Sequence, residues 1–137
     1  MNAKPFVIGF AAVIACVAAA SVYFNLTATQ PEKSVTAVAS PDGRYKAVRV
    51  SLARGATCFD RIAVYLSVYP NSFAETEKTY LVYSGPCAPP AERAALPKMQ
   101  WLSNSALQIT YAPAPEAKRT MKTLDASYFV HVTYVAQ

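Results

Sequence analysis

From residue 35 to residue 135, apolar and polar positions alternate in short runs, and no run carries the spacing of a helical face. The runs are rich in Val, Ile, Tyr and Thr and are broken by Pro, Gly, Asn and Asp, which predicts strands joined by turns. The first strand is VTAVA, 35–39, followed by the turn SPDG. Pro41 presets the bend, Asp42 caps nearby backbone N–H groups, and Gly43 supplies a positive φ. The second strand is RYKAVRVSLA, 44–53, and RGATCFD reads as a loop. The third, RIAVYLSVY at 61–69, places Ile62, Val64, Leu66 and Val68 on one face and Ala63, Tyr65, Ser67 and Tyr69 on the other. TYLVYS, 79–84, is the fourth. A connection with four prolines, 85–97, leaves room for one helical turn at Ala91–Leu96. KMQWLS and ALQITYA flank Asn104-Ser105 as a hairpin, and SYFVHVTYV, 127–135, closes the domain as a strand apolar on both faces. About seven strands at this spacing predict an all-β domain, either a small antiparallel β-sandwich or a twisted meander. The SPDG turn occurs in β-propeller blades, but it appears once here and a propeller needs at least four blades, so length excludes one unless several chains assemble it.

The pattern changes at the N-terminus. Residues 5–24 hold no charge, and at about 1.5 Å per helical residue they span roughly 30 Å, one bilayer core. Lys4 precedes them, which favours a cytoplasmic N-terminus with the rest of the chain outside. Three readings fit the stretch. It is a signal anchor that stays in the membrane, a secretory signal cleaved after Ala18-Ala19-Ala20, or a lipoprotein signal. In the last, Val13-Ile14-Ala15 leads into Cys16 as the acylated residue. All three export the remainder of the chain. The chain divides into 1–24 as signal peptide or anchor, 25–34 as a polar tether, and 35–137 as an extracytoplasmic β-domain. The partner of residues 5–24 is the inner membrane, and the β-domain is periplasmic.

That compartment decides the cysteines. Cys58 and Cys87 are the two in the exported part, and an even pair in an oxidising space reads as a disulfide. Two unpaired thiols are the alternative, and a redox pair lacks Cys-x-x-Cys spacing. Charge adds little. The net charge is +5, and from residue 31 onward twelve basic residues stand against eight acidic ones, clustered only at Lys118, Arg119 and Lys122. No groove-reading motif accompanies them, so nucleic acid is not an expected partner.

Catalytic chemistry finds few candidates. His131 is the sole histidine and lies between two valines, without a companion ligand or an orienting partner. Gly-x-Ser-x-Gly is absent, and four glycines leave none for a phosphate loop. No cofactor is expected. Nine tyrosines are the abundant raw material, and on a sheet face they either stack on a partner or pack the core. Tyr65, Tyr69, Lys118 and Arg119 are the candidate binding surface.

The anchor, SPDGRYKAVRV, the RGATCF loop and the late WLSNSALQITY hairpin together resemble a family of small bacterial envelope proteins with an N-terminal membrane or lipid anchor and an SPDG(K/R)YKAV core. The resemblance covers most of residues 38–112. It implies an envelope location and an all-β fold, and it assigns no biochemical role. The chain departs from the family in carrying Cys58 directly after Gly55-Ala56-Thr57 and in its proline-rich connection around Cys87. The expectation is a non-enzymatic, membrane-tethered binding or structural module that contacts another envelope protein or a glycan. A small periplasmic hydrolase or an enzyme inhibitor is the alternative.

Overall fold

The computed structural model describes residues 11–21, 32–114 and 117–137, in two separate units, Met1–Gln30 and Pro31–Gln137. In the first unit residues 11–21 form a helix, α1, on which Val13, Ile14 and Val17 are exposed. Among the described residues no helix is long and apolar enough to cross a membrane. Residues 5–10 and 22–24 of the apolar stretch, and 25–31 of the tether, lie outside the described residues.

The second unit is mostly β. Its strands are β1 (Glu32–Ala39), β2 (Tyr45–Arg54), β3 (Thr57–Leu66), β4 (Leu81–Pro86), β5 (Lys98–Ser103), β6 (Ala106–Tyr111), β7 (Thr120–Met121) and β8 (His131–Ala136). A one-turn helix α2 (Phe73–Thr76) and a 3-10 turn (Lys78–Tyr80) join β3 to β4. One sheet has the order β1-β2-β3-β4-β7, and the other has the order β5-β6-β8.

The alternation of β2 and β3 sets the layers. Tyr45 and Ala47 on β2, with Ile62 and Val64 on β3, point into a core shared with Met99, Leu107, Ile109 and Val132 of the second sheet. Their neighbours point the other way. Val48, Val50, Ala63 and Tyr65 form a second core under Ala74 of α2, with Phe73 and Tyr80 packed against it. The central strands are therefore apolar on both faces, the pattern of strands covered on both sides.

The chain crosses between the sheets three times, from β4 to β5, from β6 to β7 and from β7 to β8. A buried or half-buried polar side chain holds each crossing. Arg49, on the inner face of β2, donates from Nη2 to the carbonyls of Arg93 and Leu96, each at 2.8 Å, and from Nη1 to that of Pro97 at 3.2 Å. It fixes the strap 87–97. Arg119 folds back so that Nη2 donates to the Ala112 carbonyl and its guanidinium lies 4.8 Å from the Tyr111 ring centre. Asp125 organises the third crossing by accepting hydrogen bonds from the backbone that leads into β8. The Tyr134 hydroxyl adds a tie from β8 to the first sheet, 2.7 Å from the carbonyls of both Val82 and Lys122.

Several sequence expectations need correction. RGATCFD is mostly strand, because Gly55, at φ 58, closes a two-residue turn and lets Arg54 pair with Thr57. The third strand ends at Leu66, and Val68 is 86% exposed in the turn beyond it. The domain is not wholly antiparallel. β6 and β8 run parallel, which the long return through β7 permits. The last strand begins at His131, it forms a sheet edge, and 125–129 is a loop. Ala91–Leu96 does make one turn, closed by the Leu96 N–H donating to the Glu92 carbonyl at 2.9 Å. The Asn104-Ser105 hairpin and the SPDG turn form where the pattern puts them. Gly43 sits at φ 71, and Asp42 Oδ1 accepts hydrogen bonds from Ser40 Oγ and the Arg44 N–H. Those contacts hold the Asp42 carboxyl below its ordinary pKa, the Ser40 bond contributing most.

Candidate binding site

The site grows from one carboxylate. Asp125 is 3% exposed. Its Oδ1 accepts from the N–H groups of Phe129 at 3.1 Å and Val130 at 2.8 Å. Its Oδ2 accepts from the Ser127 N–H at 3.1 Å and the Ser127 hydroxyl at 2.6 Å. The backbone closes the same loop, with Tyr128 N–H donating to the Asp125 carbonyl and Asp125 N–H to that of Val130. An Asp two residues before a Ser does this readily, since both side chains can bond local backbone.

The loop holds Tyr128 in an unusual state. Its φ is 60°, the left-handed region that costs an L-residue about 1–2 kcal/mol, and its side chain is 79% exposed. A large aromatic ring in water at a strained backbone position gains nothing from packing. Such strain persists only where surrounding contacts over-determine it. The next residue, Phe129, stacks on Tyr45 with ring centres 5.4 Å apart, and the Arg44 guanidinium covers both rings at 5.7 and 5.5 Å.

Two clefts meet at this loop. The larger, about 500 Å³, runs between Thr79 and the segment Met121–Asp125, with Tyr128 on its rim. The smaller, about 170 Å³, is lined by Tyr45, Tyr69, Tyr80 and Ser127, and shares Asp125 and Ala126 with the first. The exposed hydroxyls of Thr79 and Thr123 and the Lys122 ammonium, all in the larger cleft, make no hydrogen bond to the described residues.

A third cavity, about 720 Å³, lies between β1, β2 and the strap, over Ser34, Thr36 and Ser51 with Arg93 on its wall. The cation beneath it is engaged. Arg49 Nε donates to Asp60 at 3.2 Å while its other nitrogens hold the strap, and Ser51 Oγ also donates to Asp60 Oδ1. Among the described residues no three His, Cys, Asp or Glu side chains stand together as a metal site.

The structure scatters the residues nominated from sequence. Tyr65 is 1% exposed, so it offers no surface. Its hydroxyl lies 3.1 Å from the carbonyls of Pro70 and Asn71. Tyr69 is exposed, stacked on Phe73 at 4.7 Å, and belongs to the smaller cleft. Lys118 is exposed, whereas Arg119 is turned inward on Tyr111, and neither lines the two clefts. Cys16 is an exposed free thiol on α1. Cys58 and Cys87 are bonded to each other across the β3–β4 pair, with Cα atoms 5.3 Å apart. His131 is exposed at the start of β8. Tyr128 and Phe129, which an alternating reading places inside a strand, are both exposed, and Tyr128 joins Tyr69 as an exposed aromatic at the clefts. The Asp125-Ala126-Ser127 turn signal just before them was the clue.

Two predictions arise here. Asp125→Asn keeps one acceptor oxygen and turns an NH2 group toward the other set of donors, so either the Ser127 N–H or the Phe129 and Val130 N–H groups lose their acceptor. Chemical denaturation of the full chain should register a loss of about 1–3 kcal/mol. A change under about 0.5 kcal/mol, within the range of an ordinary surface substitution, would show that the loop holds without the carboxylate. The second concerns alkali. Burial pushes the phenols of Tyr134, Tyr83 and Tyr65 above their ordinary value, and for Tyr83 the nearby Arg119 offsets part of the rise. In the unfolded chain these groups titrate near pH ~10. Above that pH the unfolded state therefore binds fewer protons than the folded one, and stability falls as pH rises. Ultraviolet titration should show three phenols ionising late and together with unfolding. Nine phenols titrating normally in a folded chain would contradict it.

Compared with known protein families, curated proteins and solved structures, the chain matches none of them.

Proposed function

We propose that this chain is an extracytoplasmic binding module of a bacterial envelope, tethered at the membrane by residues 5–24, and that it engages its partner with the Tyr128 loop. The observation that carries the binding reading is the exposed Tyr128 ring at φ 60° on a loop fixed by four hydrogen bonds to Asp125. A rigid loop has already lost the freedom that binding would otherwise cost. The envelope reading draws on the charge-free stretch 5–24, the exposed apolar side chains of α1 and a disulfide suited to an oxidising compartment. The module works by contact and not by catalysis. Its buried charged side chains, Arg49, Asp60 and Asp125, are engaged by one another, by serines and by backbone.

The test is a photo-crosslinking residue placed at Tyr128 in the full chain, in intact envelope membranes, beside the same residue at Thr133 on the outer face of β8. The expected result is a discrete adduct from position 128 and none from 133. Identical patterns from both positions, or no adduct at 128, would overturn the reading.

A further inference from the structure

We infer that the two clefts at the Asp125 loop, the larger of them rimmed by Tyr128, take a neutral glycan chain; this rests on the binding reading above and names its ligand class. Three features of the clefts select that class. First, the rim is an aromatic face held open to water, and a pyranose ring offers the matching flat C–H face. Second, the wall behind it carries hydroxyls, Thr79 and Thr123, without partners among the described residues, which suits a ligand with a hydroxyl at nearly every carbon. Third, the charge is nearly silent. Asp125 is consumed inside its loop, and Lys122 is the one cation in the larger cleft. A phosphate or carboxylate would be expected to meet several donors or a bidentate arginine. No arginine lines either cleft among the described residues, and Arg44 lies over Tyr45 and Phe129.

A peptide strand fits less well. Adding a strand needs a run of unpaired backbone at a sheet edge. The edge strand bordering the larger cleft is β7, only two residues long, and the next N–H, of Lys122, already donates to Val82. The larger cleft's volume of about 500 Å³ lies within the ordinary range for small-ligand sites, ~300–1,000 Å³. It adjoins the smaller cleft at Asp125 and Ala126, so two neighbouring sugars could be held on the same loop.

The experiment titrates the full chain, in detergent micelles, with three probes. These are a β-1,4-linked N-acetylglucosamine tetramer, cellotetraose, and an extended octapeptide of alternating Val and Thr. Ligand-observed NMR reads binding. At least one saccharide should bind, its response alone deciding whether the acetamido group matters. Tyr128→Gly, which relieves the left-handed backbone, should weaken it by about tenfold or more, and Thr123→Val by several-fold. Tyr128→Phe, which keeps the ring, should retain most of the affinity, and Arg93→Ala, at the separate strap cavity, should leave it unchanged. Failure of both saccharides, binding indifferent to Tyr128→Gly, or Tyr128-dependent binding of the octapeptide instead would each overturn the glycan assignment. If the position-128 crosslink forms while saccharides fail, the module reading stands and its ligand class is wrong. If neither occurs, both fall.

Discussion

Replacing Arg49 with methionine should destabilise the domain by about 3–5 kcal/mol, the range for removing one partner of a buried ion pair. Asp60 is fully buried and Arg49 is 9% exposed, so neither charge can fall back on bulk water. Without the guanidinium, Asp60 keeps only Ser51 Oγ, and its Oδ2 already lacks a partner. The carbonyls of Arg93, Leu96 and Pro97 lose their donor in the same step. Urea unfolding of the full chain measures the loss. Arg49→Met with Asp60→Leu should recover part of it, because an apolar pair leaves no charge stranded. A single-variant loss below about 1 kcal/mol, well short of that range, would mean that the strap is held by packing alone. A double variant worse than the single would mean that Asp60 has other work.

The arginine also marks the limit of what alternation reveals. In the β2 sequence, Tyr45, Ala47, Arg49, Ser51 and Ala53 share one face, and a polar Arg-Ser pair there reads as the solvated end of a strand. It is covered instead, because a proline-rich connection from another part of the chain lies over it. Period-two patterns report which residues share a face, but not what covers it. The same gap explains Tyr65. Its face looked half-polar, yet α2 and the 3-10 turn, too short for any helical period to announce, close over it. Local chemistry was legible where a residue type has one use. Gly43 needed positive φ, Asn104-Ser105 turned a hairpin, and Cys58 and Cys87 paired. The parallel β6–β8 pairing was not legible, since it depends on the two crossings through β7, anchored by Arg119 and Asp125, which no local pattern announces. The binding loop was masked by its own composition. SYFVHVTYV is a good strand sequence, and only Asp125, two positions upstream, pulls Tyr128 out of the ladder.

Opening the Cys58–Cys87 bond should cost nearly as much as losing Arg49, and the two losses should not add. The bond closes a loop of 30 residues counting both ends, given a separation of 29. The chain-entropy relation gives about 3.6 kcal/mol for that length. A domain's whole stability is about 5–15 kcal/mol, so Cys58→Ser/Cys87→Ser should shift the unfolding midpoint far below that of the oxidised chain. The bond also has a neighbour in function. Cys87 is the first residue of the strap, tied as well by its N–H to the Cys58 carbonyl at 3.1 Å, and Arg49 grips the strap's far end at Leu96 and Pro97. With the disulfide gone, the strap frays from its start, and Arg49 has less ordered structure to hold. Arg49→Met should then cost less in the serine background than in the oxidised one, by about 1 kcal/mol or more, as for residues that share a segment. A four-way denaturation cycle reads this directly. Costs that add to within about 0.5 kcal/mol would show that the two ends of the strap are independent, and that the crossing from β4 to β5 does not form as one cooperative piece.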